Sequence, residues 1–132
     1  MYSTNNPTID AIKFQLNDCE IDSYEQVIDS QKEYDLKIVI NNSIKNLNNA
    51  LSCHHSLLPS FNCDEPEREA MLCGVKVSGI TFLYNNKIIA QYPIFITSDM
   101  HYEDLKQKLD YLEQMLFPLV AKKVLSKEPF DS

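Results

Sequence analysis

The sequence predicts an α+β domain: a long helix, an antiparallel β-hairpin and a C-terminal amphipathic helix, with a possible extra N-terminal strand. Three observations predict it. Two runs rich in Val, Ile, Phe and Tyr, over 74–84 and 87–97, flank Asn85-Asn86, and asparagine accepts the positive φ that a two-residue hairpin turn demands. Directly after them, Tyr102, Leu105, Leu109, Leu112, Leu116 and Leu119 recur in steps of three and four, the spacing of one helix face. Upstream, Leu36, Ile40, Ile44, Leu47, Leu51, His54 and Leu58 keep a similar rhythm as far as Pro59.

In chain order, residues 1–9 are polar and read as a loose arm. Ile12, Phe14 and Leu16 alternate, which predicts a short strand over 11–16. The acidic stretch 18–30 fits a loop or a short helix. The run 36–58 predicts one long helix that needs tertiary packing, because Asn and Ser are poor helix formers. A competing arrangement makes 35–40 a strand, with Asn42 or Ser43 capping a shorter helix. Residues 59–65 form a loop, and Pro66 at a first helical position opens one or two turns that end near Cys73.

In the hairpin, Val75 and Val77 fall out of step with Ile80, Phe82 and Tyr84, so a β-bulge is expected at Gly79. Pro93 lacks a donor and places its strand at a sheet edge. Ser98 or Asp99 can cap the last helix, and Glu103 and Asp104 suit its positive end. Pro118 should kink or break it, with 120–127 as a second segment. Residues 128–132 read as a loose end, and the whole chain, 1–132, reads as one domain.

Composition narrows the function. Hydrophobic residues make up 44% and charged residues 23% of the chain, which is globular and not disordered. No apolar run reaches the length of a membrane span, and the N-terminus has no secretory pattern. Cys19, Cys53, Cys63 and Cys73 fit reduced thiols, so a cytoplasmic location is expected. With glycine only at Gly74 and Gly79, no loop can cradle phosphates in the glycine-rich manner.

The net charge of −7 is concentrated at one end: residues 1–35 hold eight acids against two bases, and the remainder is nearly balanced. Such a field repels nucleic acid and anionic membranes and favours a basic partner. Lys122-Lys123 is the only basic cluster, so the composition argues against nucleic-acid binding.

No residues form a recognisable catalytic motif. Cys53-His54-His55 with Cys63 and Cys73 is the one group of metal-ligand types, but its spacing lacks the tight cysteine pairs of zinc motifs, so no metal site is assigned. A thiol nucleophile would need Cys63 or Cys73 beside an imidazole such as His101. Asp18, Glu20 and Asp22 resemble the start of a calcium loop, but Ser23 and Asp29 stand where that loop needs Gly and Glu. No catalytic residue and no cofactor is therefore expected.

The apolar seams and the acidic N-terminal third together predict a non-catalytic protein-binding module. Asp18, Glu20, Asp22, Glu25 and Asp29 would face a basic partner protein, as in an inhibitor, immunity protein or chaperone, and a homodimer is a further possibility. The alternatives are a metal-dependent or thiol enzyme using Cys53, His54, His55, Cys63 and Cys73, or a dimeric nucleic-acid-associated factor.

Overall fold

A computed structural model describes residues 7–16, 36–39 and 50–126. It is a mixed α+β structure with helices α1 (Pro7–Gln15), α2 (Pro66–Cys73) and α3 (Tyr102–Ser126) and strands β1 (Lys37–Val39), β2 (Ala50–His54), β3 (Val77–Tyr84) and β4 (Lys87–Phe95). The four strands form one sheet in the order β1-β2-β3-β4; β1 runs parallel to β2 and the other neighbours are antiparallel. α3 packs against β2 and β3, and α1 and α2 pack on α3.

Two expected elements are different. The strand at 11–16 is instead the second half of α1. Ile12 and Leu16, four residues apart, are both buried, while Phe14 between them is 76% exposed. Only a helix puts i and i+4 on one side and i+2 on the other. The long helix over 36–58 is replaced by β1 and β2 where that span is described, in agreement with the competing strand at 35–40; residues 40–49 lie outside the described set. Leu51 and Cys53 are buried and alternate with less buried neighbours. Leu51 pairs with Tyr84 and Cys53 with Phe82, so the sheet supplies the backbone partners a helix would have supplied internally.

The hairpin stands as expected at its tip. Asn85 and Asn86 have φ of 52° and 65°, and Leu83 faces Ile88 across the turn. Its bulge lies elsewhere. The register slips between Phe82 and Leu83, where Ile89 is the extra residue on β4, while Gly79 pairs regularly with Pro93. Gly79 answers a different demand: a Cβ there would overlap the Tyr92 carbonyl oxygen and lie 2.8 Å from Leu57 Cδ2. Val77 therefore shares its side with Gly79 and Thr81 rather than with Ile80 and Phe82. Pro93 does sit on an edge strand, β4, where its missing N–H costs no ladder bond.

α2 starts with Pro66 and ends at Gly74, whose φ of 70° closes the helix through bonds to the Ala70 and Met71 carbonyls. At the start of α3 the cap comes from Asp104 rather than Ser98 or Asp99: its carboxylate accepts the His101 N–H at 2.9 Å. α3 runs through Pro118 without ending. Its buried line is Leu105, Leu109, Phe117, Val120 and Ala121, and Leu119 is 52% exposed. A straight helix follows a 3.6-residue period, so the strict heptad drifts off the core after Leu112. Phe82 anchors the core edge-on to Phe117 (5.3 Å) and to Tyr92 (6.0 Å).

Candidate functional site

β2 carries its chemistry to both sides of the sheet. His54 pairs with Thr81 and shares its side; Cys53 shares the side of Phe82 and α3. His55, the first residue past β2, returns to the Cys53 side.

On the His54 side, residues 56–61 lie across β3 and β4. Thr81, fully buried, is the hub of their attachment. Its hydroxyl donates to the Ser56 carbonyl (2.6 Å) and accepts from the Leu58 N–H (3.0 Å) and the Gln91 amide (3.1 Å). Gln91 also donates to the Leu58 carbonyl at 2.9 Å, and Ser56 Oγ donates to the Ser60 carbonyl at 2.6 Å. The missing side chain of Gly79 leaves room for Leu57. His54 donates from Nε2 to the Phe61 carbonyl at 3.0 Å. That bond fixes the tautomer, and in the neutral ring it makes Nδ1 the lone-pair nitrogen.

On the other side, His55 is held by two carboxylates. Nδ1 donates to Glu67 of α2 at 2.7 Å and Nε2 to Glu113 of α3 at 3.0 Å. Asp110 approaches Nδ1 at 3.9 Å and is itself paired with Lys106. The buried Thr8 hydroxyl donates to Glu113 at 2.7 Å, which ties α1 into the same group. The Cys53 thiol also donates to Glu113.

Burial works against a charged imidazole, but the bonds to Glu113 and Glu67 and the charges behind them outweigh it and push the His55 pKa up to about 9. Burial likewise opposes ionisation of Glu67 and Glu113, and again the bond to His55 and its charge prevail, holding both below the usual carboxylate range. Burial, reinforced by the charge of Glu113, raises the Cys53 thiol well above its ordinary value. At neutral pH the group is therefore an imidazolium between two carboxylates, beside a neutral thiol.

The sequence-level candidates divide accordingly. Asp18, Glu20, Asp22, Glu25 and Asp29 lie outside the described residues. Of Cys53, His54, His55, Cys63 and Cys73, only Cys53 and His55 come together. His54 faces the opposite side, and Cys63 and Cys73 are exposed. Glu67, Glu113 and Thr8 were not anticipated. Glu113 did leave a trace: it sits midway between Leu109 and Phe117 on the buried line of α3, where a lone carboxylate demands a partner.

Part of the chain resembles phosphoribosylglycinamide formyltransferases and a formyltetrahydrofolate deformylase. The chain is 36% identical over 81 residues to the phosphoribosylglycinamide formyltransferase of Bacillus subtilis, covering 57% of this chain and 42% of that enzyme. The solved phosphoribosylglycinamide formyltransferase of Bacillus halodurans superposes with a TM-score of 0.58 and 32% identity, over 62% of this chain and 45% of that one. A formyltetrahydrofolate deformylase from Pseudomonas syringae does so with a TM-score of 0.56 and 27% identity, over 61% and 29%. No family model matches. The chain thus spans less than half the length of these relatives.

These likenesses overturn the expectation of a non-catalytic inhibitor, immunity protein or chaperone masking a basic protein surface. The proteins that the chain resembles are enzymes acting on small molecules, and a surface field of acidic residues does not distinguish a binder from an enzyme. Among the described residues no helix is long and apolar enough to cross a membrane.

Proposed function

We propose that the protein acts in formyl transfer, between a carrier such as formyltetrahydrofolate and an amine such as that of glycinamide ribonucleotide, with His54 handling the proton. The observation that carries this reading is the 36% identity with the Bacillus subtilis enzyme over 81 residues. The geometry supports it by leaving one of the two adjacent imidazoles at the end of β2 available for proton transfer. An amine that attacks a formyl carbon must lose a proton, and the leaving nitrogen must gain one. His55 cannot serve, because both of its nitrogens are engaged by carboxylates. His54 is half-buried and anchored through Nε2, and its Nδ1 has no hydrogen-bond partner among the described residues. A cytoplasmic setting fits the reduced thiols of Cys53, Cys63 and Cys73.

The test supplies purified protein with formyltetrahydrofolate and glycinamide ribonucleotide and follows the formylated product by mass spectrometry. Transfer, or hydrolysis of the formyl donor, should exceed the uncatalysed rate. His54→Gln should lower kcat by about 10²–10⁴-fold, the usual worth of general acid–base catalysis, with little change in KM. A protein that neither transfers nor hydrolyses the formyl group, or one whose rate is untouched by His54→Gln, overturns the proposal.

A further inference from the structure

We propose that Cys53, His55 and Glu113 form a zinc-binding site, a property independent of formyl transfer. One donor atom from each of these residues lies within 4.8 Å of the other two. Zinc–ligand bonds of about 2.0–2.3 Å place tetrahedral ligands about 3.3–3.7 Å apart, so closure by about 1 Å would bring all three donors onto one ion. The donors come from separate elements: the inner side of β2, the residue just past it, and the middle of α3. A thiolate, an imidazole and a carboxylate together suit zinc and are the wrong set for magnesium or calcium.

The surrounding bonds are those a metal centre needs. Glu67 takes the Nδ1 proton of His55 at 2.7 Å, which fixes the ring and turns Nε2 towards Glu113. Thr8 donates to the outer oxygen of Glu113 at 2.7 Å and orients that carboxylate. Ligating histidines and carboxylates are commonly held by such outer partners. Three protein donors leave one coordination position for solvent, as in zinc sites that keep an open position.

The charges also balance. With its protons in place, the group of Cys53, His55, Glu67 and Glu113 carries a thiol, an imidazolium and two carboxylates. Zinc would displace the Cys53 thiol proton and the Nε2 proton of His55, exchanging one dication for two protons released to solvent. The net charge of the half-buried group stays the same, so the ion brings no new uncompensated charge into the interior. This ligand set differs from the one the sequence suggested. Glu113 replaces Cys63 and Cys73, and of the two histidines offered, His54 and His55, it is His55 that takes part.

The experiment loads the full chain with zinc, removes loose metal by gel filtration, and measures retained zinc by elemental analysis. The expected result is close to one zinc per chain, falling several-fold or more in Cys53→Ala and in Glu113→Gln, with circular dichroism reporting the fold of each variant. Cobalt loading of Cys19→Ser/Cys63→Ser/Cys73→Ser gives a second readout that leaves the site intact. Cys53 is the only thiol left, so thiolate-to-cobalt absorption in the near ultraviolet must come from it. That band should persist. No retained zinc, zinc retained equally by the folded Cys53→Ala protein, or loss of the cobalt band in the triple variant would each overturn the site.

Discussion

Raising the pH should weaken the metal-free protein in a window set by His55. The imidazole has an ordinary pKa of 6.5 and is pushed up to about 9 between Glu67 and Glu113. A group with a raised folded-state pKa stabilises fully below its unfolded value, here 6.5, and that stability is lost as pH rises through the folded value, here about 9. A gap of about 2.5 pH units at about 1.36 kcal/mol each is about 3 kcal/mol. The side chain is only 15% exposed, so solvent screening removes little of it. Most of this contribution remains at pH 7, and about 2 kcal/mol disappears between pH 7 and pH 9.

The carboxylates express the same interaction from the acid side: their depressed pKa values protect the fold above the carboxylate range and fail as pH drops through it. They are not a second contribution. Cys53, whose thiol is raised above 9.0, weakens the fold in the same direction as His55, but only at the alkaline end of the window. The assay is urea unfolding followed by circular dichroism with a chelator present, at half-unit steps from pH 6.5 to pH 9. With an m-value of about 2 kcal/mol per molar urea, the midpoint should fall by about 1 M. His55→Gln should be less stable at pH 7 and nearly flat across the same range, with only the small alkaline-end loss due to Cys53. A flat wild-type midpoint, or an equal slope in His55→Gln, would refute the reasoning.

Two further outcomes follow from the other side of the sheet. Gly79→Ala should destabilise the protein by about 1–3 kcal/mol, seen as a lower Tm, because its Cβ meets the Tyr92 carbonyl and Pro93 Cα, which are backbone, as well as Leu57. Thr81→Val keeps the shape but removes the hydroxyl that serves Ser56, Leu58 and Gln91. It should cost about 1–3 kcal/mol in urea unfolding, from buried groups left without partners, and should lower any formyl-transfer rate by loosening residues 56–61, which hold His54 through the Phe61 carbonyl.

How far the sequence reveals this molecule depends on the range of the forces involved. The hairpin tip, α2 and the start of α3 are set by neighbours in the chain: Asn85-Asn86 at positive φ, Pro66 opening and Gly74 closing, and Asp104 reaching back to His101. The bounds of these elements were legible to within a residue or so, although the cap of α3 was expected at Ser98 or Asp99. α1 and β2 were exchanged in type because their short apolar runs satisfy two periods at once. Ile12, Phe14 and Leu16 alternate like a strand, yet only the i, i+4 pair is buried. Leu51 fits a helical series, yet it is buried because Tyr84 lies opposite it.

The candidate site was half legible. Cys53, His54 and His55 stood out by residue type. Their division between two sides of the sheet, and the choice of Glu67, Glu113 and Thr8 as companions, depend on contacts across as many as 105 positions of sequence. No local pattern encodes those contacts, although a carboxylate on the buried line of α3 hints that something must answer it. The likeness to a formyltransferase is spread over 81 residues at 36% identity rather than concentrated in a short motif.

The alternation along β2 turns one peptide unit into a partition between two unlike rooms. On one side an imidazole sits saturated with protons among anions; on the other its sequence neighbour touches a single carbonyl. Sliding the strand by one residue would exchange the tenants: His54 would enter the anionic room, and His55 would lose both counter-ions to an uncharged loop. Strand pairing here is thus proofread by charge as well as by oiliness, and a slipped chain would be penalised at both addresses simultaneously. Two adjacent histidines, which look redundant when written in one line, serve in this fold as a key that fits only one way round.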